Sequence, residues 1–199
     1  MTAEELLKLN GDAQGSPLLD TLGRIHDVFS SRGIAYAAVG GIAVIAHGGH
    51  RTTHDIDILT TRKGWEELRR DRPERFECRM DSAVDRANGV PIDVLFSGDA
   101  WDMVIPLPDP AGCSVFLADL GANVMDLLHI LELKTAVYMA RSRTEGRELA
   151  SKDLADVVSL IQANRSRITR DLLEAMHPRV RRRVRRIAAR VGRPQRKRG

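Results

Sequence analysis

The chain has 199 residues, is 43% hydrophobic and carries a net charge of +4, which suits one globular domain with an added lobe and excludes a wholly disordered chain. Aromatic residues make up only 4%, so the core must be aliphatic, and no apolar run approaches the roughly 20 residues of a membrane-spanning helix. The charge is unevenly spread: 11 of the 31 Lys and Arg residues fall in 179–199, where there is no Asp or Glu, leaving 20 basic against 27 acidic residues over 1–178 and a net of −7 there. An acidic body with a strongly basic end points to a polyanionic partner for that end, the plain alternative being a solvated tail. The opening segment, MTAEELLKLN, is acidic and polar and does not read as a signal peptide. Cys78 and Cys113 have neither metal-type nor redox spacing, which fits a reduced cytoplasmic protein with no membrane partner.

In chain order, residues 16–32 read as a helix: Ser16 can cap it, Pro17 suits its first turn, and Leu18, Leu22, Ile25 and Phe29 recur at helical spacing before Gly33 ends it. A short apolar strand at 35–39 runs into a turn at Gly40–Gly41, then a short helix at 42–47 stopped by Gly48–Gly49. A strand at 55–61 follows, then a polar helix at 63–72 around Trp65 and Leu68, ended by Pro73. Strands are expected at 75–80, 82–86, 90–96 and 114–118, with a proline-bearing loop at 100–112. Beyond this the pattern turns helical: 124–139 is apolar nearly all round, 151–163 opens on Ser151 as a cap, and two shorter helices are divided by Pro178. In the last of these, Val180, Val184, Ile187 and Val191 form one narrow stripe among arginines. Mixed strands and helices followed by helices alone predict an α/β (α+β) domain over 1–119, a helical lobe over 120–178, and a basic amphipathic helix or tail over 179–199.

The chemistry is concentrated in VGGIAVIAHGGHRTTHDIDIL, residues 39–59. Asp55 and Asp57 are two apart in a strand and share a face, while Ile56 and Ile58 point into the core. Two like charges held side by side are unfavourable without a cation between them. Hard oxygen donors suit Mg²⁺ or Mn²⁺, and a metal beside a glycine turn suggests phosphate chemistry. A third carboxylate, Asp93, sits in the apolar strand PIDVLF, where it is costly unless paired, hydrogen-bonded or ligating. If that strand lies beside the Asp55–Asp57 strand, three carboxylates meet on one face. His47, His50 and His54 come together as a zinc set only if a helix runs through Gly48–Gly49, so they read as loop histidines. Trp65 and Trp101 read as packing residues.

Gly40–Gly41 after a strand, 13 intervening residues, Asp55-x-Asp57 and a lone Asp93 in a later strand resemble the DNA polymerase β-type nucleotidyltransferase superfamily. Arg51-x-Thr53-x-Asp55 is similar to the lead-in of many small bacterial members. Leu133-Lys134 with Arg141, and Lys152-Asp153-x-x-Asp156, resemble the downstream motifs of the AbiEii/MenT group, the toxins of abortive-infection toxin–antitoxin systems. The resemblance covers roughly residues 34–161. It implies a mixed sheet flanked by helices and transfer of an NMP from an NTP, ATP included, to an acceptor hydroxyl. In that scheme Gly40 and Gly41 bring backbone N–H groups to the triphosphate. Asp55, Asp57 and Asp93 hold Mg²⁺ (or Mn²⁺), and Asp93 is the general-base candidate. Lys134 and Arg51 contact phosphates, and Asp153 and Asp156 orient Lys134 or the nucleotide. Lys134 also reads as a snorkelling lysine, and Asp153 as an acid favoured by its helix start. The basic tail, through Arg181, Arg182, Arg185 and Arg186, tilts the acceptor towards RNA, such as a tRNA 3′ end, and the toxin branch implies a cognate antitoxin. The alternatives are an aminoglycoside-type adenylyltransferase and a catalytically silent nucleotide- or RNA-binding module.

Overall fold

The computed structural model describes residues 16–71, 73–100, 103–146 and 148–191. Helix α1 (Pro17–Ser30) starts on its proline and buries Leu18, Leu22, Ile25 and Phe29, as the spacing predicts. Ser16 stands at the cap position but makes no capping bond, and its hydroxyl is buried without a partner among the described residues. Strand β1 (Tyr36–Ala38) leads into α2 (Gly40–Ala46), so the glycine pair forms the first turn of the helix and not a turn before it. After β2 (Ile56–Thr60), α3 (Arg62–Arg70) is capped by Thr61, whose hydroxyl accepts from the Gly64 N–H. Trp65 packs inside and donates its indole N–H to the Met80 carbonyl at 2.8 Å. Trp101 and 192–199 of the expected tail lie outside the described residues.

Strands β3 (Phe76–Cys78), β4 (Ser82–Asp85), β5 (Pro91–Phe96), β6 (Ser114–Leu117) and β7 (Ala122–Met125) complete one mixed seven-stranded sheet in the order β3-β4-β5-β2-β1-β7-β6. At its centre β2 runs parallel to β5 and antiparallel to β1. A four-residue helical turn, α4 (Pro110–Cys113), interrupts the proline loop. The apolar run at 124–139 is not one helix. Its start belongs to β7, which pairs parallel with β1 and antiparallel with β6, and helix α5 (Leu127–Thr144) begins only after Asp126. A continuous apolar run does not by itself separate a buried strand from a buried helix. The deciding residue was Asp126, whose carboxylate accepts from the His129 N–H at 2.9 Å and caps α5.

Helices α6 (Ser151–Ala163), α7 (Arg170–Ala175) and α8 (Pro178–Val191) follow. Ser151 opens α6 from within, with Ala150 at the cap position. The predicted stripe of α8 is used: Val180, Val184 and Ile187 are buried and Val191 half-buried, against α5 and α6. The sheet thus runs past residue 119, and one apolar core includes residues from Leu18 in α1 to Ile187 in α8. Among the described residues no helix is long and apolar enough to cross a membrane.

A buried polar knot ties α1 to the far side of the sheet. Asp85 accepts from the Thr21 hydroxyl at 2.7 Å, the Arg24 guanidinium at 2.7 Å and the Ala87 N–H at 2.9 Å. Burial pushes its carboxyl up, but these bonds carry it below the usual carboxylate range. A depressed folded-state pKa gives stability that is present above the unfolded pKa of about 4 and lost as pH falls through the folded value. Asp85→Ala is expected to lose about 3 kcal/mol at pH 7 in urea unfolding, with the deficit shrinking below about pH 4.

Candidate active site

The site grows from the pairing of β2 with β5. Asp57 stands directly beside Asp93 in this parallel register, so the two carboxylates project from one face of the sheet. Ile56, Ile58, Ile92 and Val94 alternate with them and are buried on the other face. Asp57 is half-buried, whereas Asp93 is exposed, so the expected burial penalty at Asp93 does not arise. Asp55 lies just before β2, half-buried, and its Oδ1 accepts from the Thr53 hydroxyl at 2.8 Å. Burial pushes the Asp57 carboxyl up, the negative charges of Asp55 and Asp93 push it further, and Lys134 and Arg51 pull it back. Asp57 therefore feels the charge of four of the sequence-predicted groups, Asp55, Lys134, Asp93 and Arg51.

The two glycines make room for this arrangement. Gly40 has φ +55°, and a Cβ there would stand 1.7 Å from Asp57 Oδ2. A Cβ on Gly41 would meet the Thr53 hydroxyl at 2.5 Å and Arg51 Nε at 3.1 Å. Only glycine lets α2 begin this close to the carboxylate strand.

On the other side, Asp156 of α6 binds two cations with one oxygen. Lys134 Nζ of α5 lies 2.8 Å from Asp156 Oδ2, and Arg51 Nη1 donates to the same atom. Lys134 is 8% exposed and Asp156 5%, so Lys134 is a buried, paired cation and not a snorkelling one. Arg51 Nε is buried without a hydrogen-bond partner among the described residues. Asp153, also buried, pairs with Arg141 at 3.3 Å instead of reaching Lys134. Arg51, Asp57, Lys134, Arg141, Lys152 and Asp153 help line a cleft of about 430 Å³. Thr53, Arg141 and Lys152 were not among the expected site residues. All three nevertheless stand in the motifs that carry the family resemblance, which was their sequence signal. Asp156→Ala is expected to lose about 3–5 kcal/mol in urea unfolding, because it strands Lys134 and Arg51 together. Lys134→Met should lose clearly less, since Arg51 keeps its partner.

The donor set suits a hard divalent cation. Among the described residues no three His, Cys, Asp or Glu side chains converge as a metal-holding group. Mg²⁺ is commonly bound by one or two carboxylates plus substrate phosphates, a demand that the neighbouring Asp57 and Asp93 meet. The histidines form no metal set among the described residues: His47 is buried with Nε2 2.8 Å from the Met125 carbonyl, burial lowers its pKa, and His50 and His54 are exposed.

The four arginines predicted to bind RNA divide. Arg181 donates to the Glu174 and Met176 carbonyls at the end of α7, and Arg185 lies 3.9 Å from Glu174. Arg182 and Arg186 are exposed.

No family model matches the sequence, and no curated protein matches it. Among solved structures, an antigenic nucleotidyltransferase-like protein from Paracoccidioides brasiliensis is similar over 73% of this chain and 75% of that chain, with 21% identity and a TM-score of 0.54. ANT(2″)-Ia in complex with adenylyl-2″-tobramycin aligns over 76% of this chain and 98% of that chain, with 18% identity and a TM-score of 0.43. The first likeness establishes a nucleotidyltransferase-type α/β fold; the second is too loose to add to it.

Proposed function

We propose that the chain is a divalent-metal-dependent nucleotidyltransferase that moves an NMP from an NTP to an acceptor hydroxyl. The observation that carries this reading is the lateral pairing of Asp57 with Asp93 against Gly40, with Lys134 and Arg51 held nearby by Asp156. The acceptor oxygen attacks the α-phosphorus, the bond from that phosphorus to the bridging oxygen breaks, and pyrophosphate leaves. Asp93, the exposed carboxylate, takes the proton of the attacking hydroxyl. A divalent cation held by Asp57 and Asp93, with Asp55 at its edge, would supply charge neutralisation at the phosphates. Lys134, Arg51, Lys152 and Arg141 bring positive charge to the triphosphate, and Gly40 and Gly41 admit it close to the backbone. Asp156 fixes Lys134 and Arg51, while Asp153 fixes Arg141.

RNA is the favoured acceptor, with a tRNA 3′ end as the leading candidate, because α8 adds a dense run of arginine to an acidic body. The AbiEii/MenT resemblance supports a toxin role restrained by a cognate antitoxin. The test is label transfer. The chain is incubated with each α-³²P-NTP, Mg²⁺ and either total bacterial RNA or a panel of aminoglycosides, beside Asp55→Ala and Asp57→Ala. Label on a discrete RNA, lost in both variants, is expected. Label on an aminoglycoside alone would replace the RNA reading with small-molecule adenylylation, and nucleotide binding without transfer to either acceptor would replace it with a silent binding module.

A further inference from the structure

The arginines of α8 are not spread evenly around the helix. Arg179, Arg182, Arg183 and Arg186 follow i, i+3, i+4 and i+7, so they share one face, offset from the buried stripe of Val180, Val184 and Ile187. That face looks across to α5. Met139, Ser142 and Arg143 of α5, with those four arginines, line a groove of about 340 Å³. Among the described residues that line it, five carry guanidinium groups and none is Asp or Glu. Like charges at i, i+4 repel, so this face is held together at a cost that a polyanion would relieve.

Two further observations point to a ligand. Ser142 Oγ and Arg183 Nε, both from lining residues, are buried without a hydrogen-bond partner among the described residues. Neighbouring atoms of the same walls are already positioned. Arg183 stacks on the Tyr138 ring at 4.9 Å and donates to its hydroxyl at 2.7 Å, and Arg179 donates to the Val104 carbonyl at 3.0 Å. Phosphate oxygens would accept from the unpartnered Arg183 N–H and the Ser142 hydroxyl while meeting the remaining guanidinium charge.

The groove is not the cleft of the candidate active site. The cleft uses Val137, Ala140, Arg141 and Thr144 of α5, again i, i+3, i+4 and i+7. The groove uses Met139, Ser142 and Arg143, two residues on and so about 200° round the helix. The two sites therefore occupy opposite faces of one helix about 10 Å across. We infer that the α5–α8 groove binds consecutive backbone phosphates of an RNA strand whose end lies in the cleft, the strand turning past α5 between the two. The inference rests on the proposed RNA acceptor for the identity of the polymer. It makes this groove a positioning site that only a polymeric acceptor can reach.

The probe is a fluorescein-labelled single-stranded RNA, its binding to the full chain followed by anisotropy across a salt series without NTP or Mg²⁺. Arg182→Glu with Arg186→Glu should raise Kd about tenfold or more and reduce the salt slope by roughly 1 to 2. Arg70→Glu with Arg86→Glu makes the same charge change at exposed positions away from α8 and should move Kd less than about threefold. If the charge-reversed groove protein does not melt like the parent, Arg182→Gln with Arg186→Gln repeats the comparison with a milder change. Equal weakening by both pairs would mean diffuse surface charge and would overturn the groove. So would loss of binding to a labelled poly-glutamate peptide with RNA binding unchanged, which would assign the groove to an acidic protein. RNA binding that depends on the groove, with no nucleotidyl transfer under any condition, leaves the groove standing and removes the transferase reading. Transfer to RNA that ignores the groove variants does the reverse.

Discussion

Asp57→Asn is expected to lower nucleotidyl transfer by at least about 10³-fold, roughly 4 kcal/mol of transition-state stabilisation, while leaving a protein that folds as well as the parent or better. The two halves of this expectation have one cause. Asp57 is the most crowded carboxylate of the site, pushed up by burial and by the charges of Asp55 and Asp93. Ionised, it opposes folding until a cation is supplied. Its folded-state pKa lies above the unfolded value, so the penalty is absent below the unfolded pKa and fully present above the folded one. Asparagine keeps the shape and removes the charge, and a gain of about 1 kcal/mol at neutral pH follows from relieving like charges across the β2–β5 pair. Mg²⁺ should raise the Tm of the parent and should raise that of Asp57→Asn much less. Parallel thermal melts and single-turnover transfer assays check both halves. A variant that lost activity by unfolding would show neither the stability gain nor the altered Mg²⁺ response.

Gly40→Ala should be the most damaging small substitution in the chain. Its φ of +55° already disfavours a side chain, by about 1–2 kcal/mol. Its Cβ would stand 1.7 Å from Asp57 Oδ2 and 2.6 Å from Asp57 Cγ, so the carboxylate must swing away from its place beside Asp93. A displacement of this size in a reacting geometry costs on the order of 10² in rate. Gly40→Ala is therefore expected to unfold at lower urea by about 2 kcal/mol and to lose transfer about 10²-fold under conditions where it is still folded. Gly33→Ala is the comparison, since Gly33 has φ +64° but open space around it. It should show the stability loss and keep full activity. Equal activity losses in the two would mean that the clash with Asp57 has no functional weight.

Much of the site was legible because strands have a strict period of two. Asp57 and the lone Asp93 had to face one way once their strands were recognised, and the parallel β2–β5 register needed only to put them level, whereas Asp55 falls one residue before β2 and outside that register. The stripe of α8 was legible for the same reason at a period of 3.6. What stayed hidden were partners distant in sequence. Arg51 and Asp156 are 105 residues apart, and nothing local to either indicates that one carboxylate oxygen serves both Arg51 and Lys134. The glycine pair was read as a phosphate turn; its second task, leaving room for the chain's own Asp57, Thr53 and Arg51, had no local signal. Strand β7 was lost inside a continuous apolar run that the Asp126 cap divides. The arginines of α8 were counted as one basic patch. Their division came from α7, whose terminal carbonyls hold Arg181, and from α5, which supplies the opposite wall of the groove.

The measurement that bears most directly on the central claim is the fate of two labels. The chain is given RNA, Mg²⁺ and ATP, or whichever NTP it accepts, labelled in one reaction at the α-phosphate and in another at the γ-phosphate. Transfer of an NMP predicts α-label on the acceptor, γ-label in pyrophosphate, and loss of both signals in Asp57→Asn and on removal of Mg²⁺. γ-Label on the acceptor, or α-label transfer that survives Asp57→Asn, would contradict the assignment of Asp57 and Asp93 as the centre of a nucleotidyltransferase site.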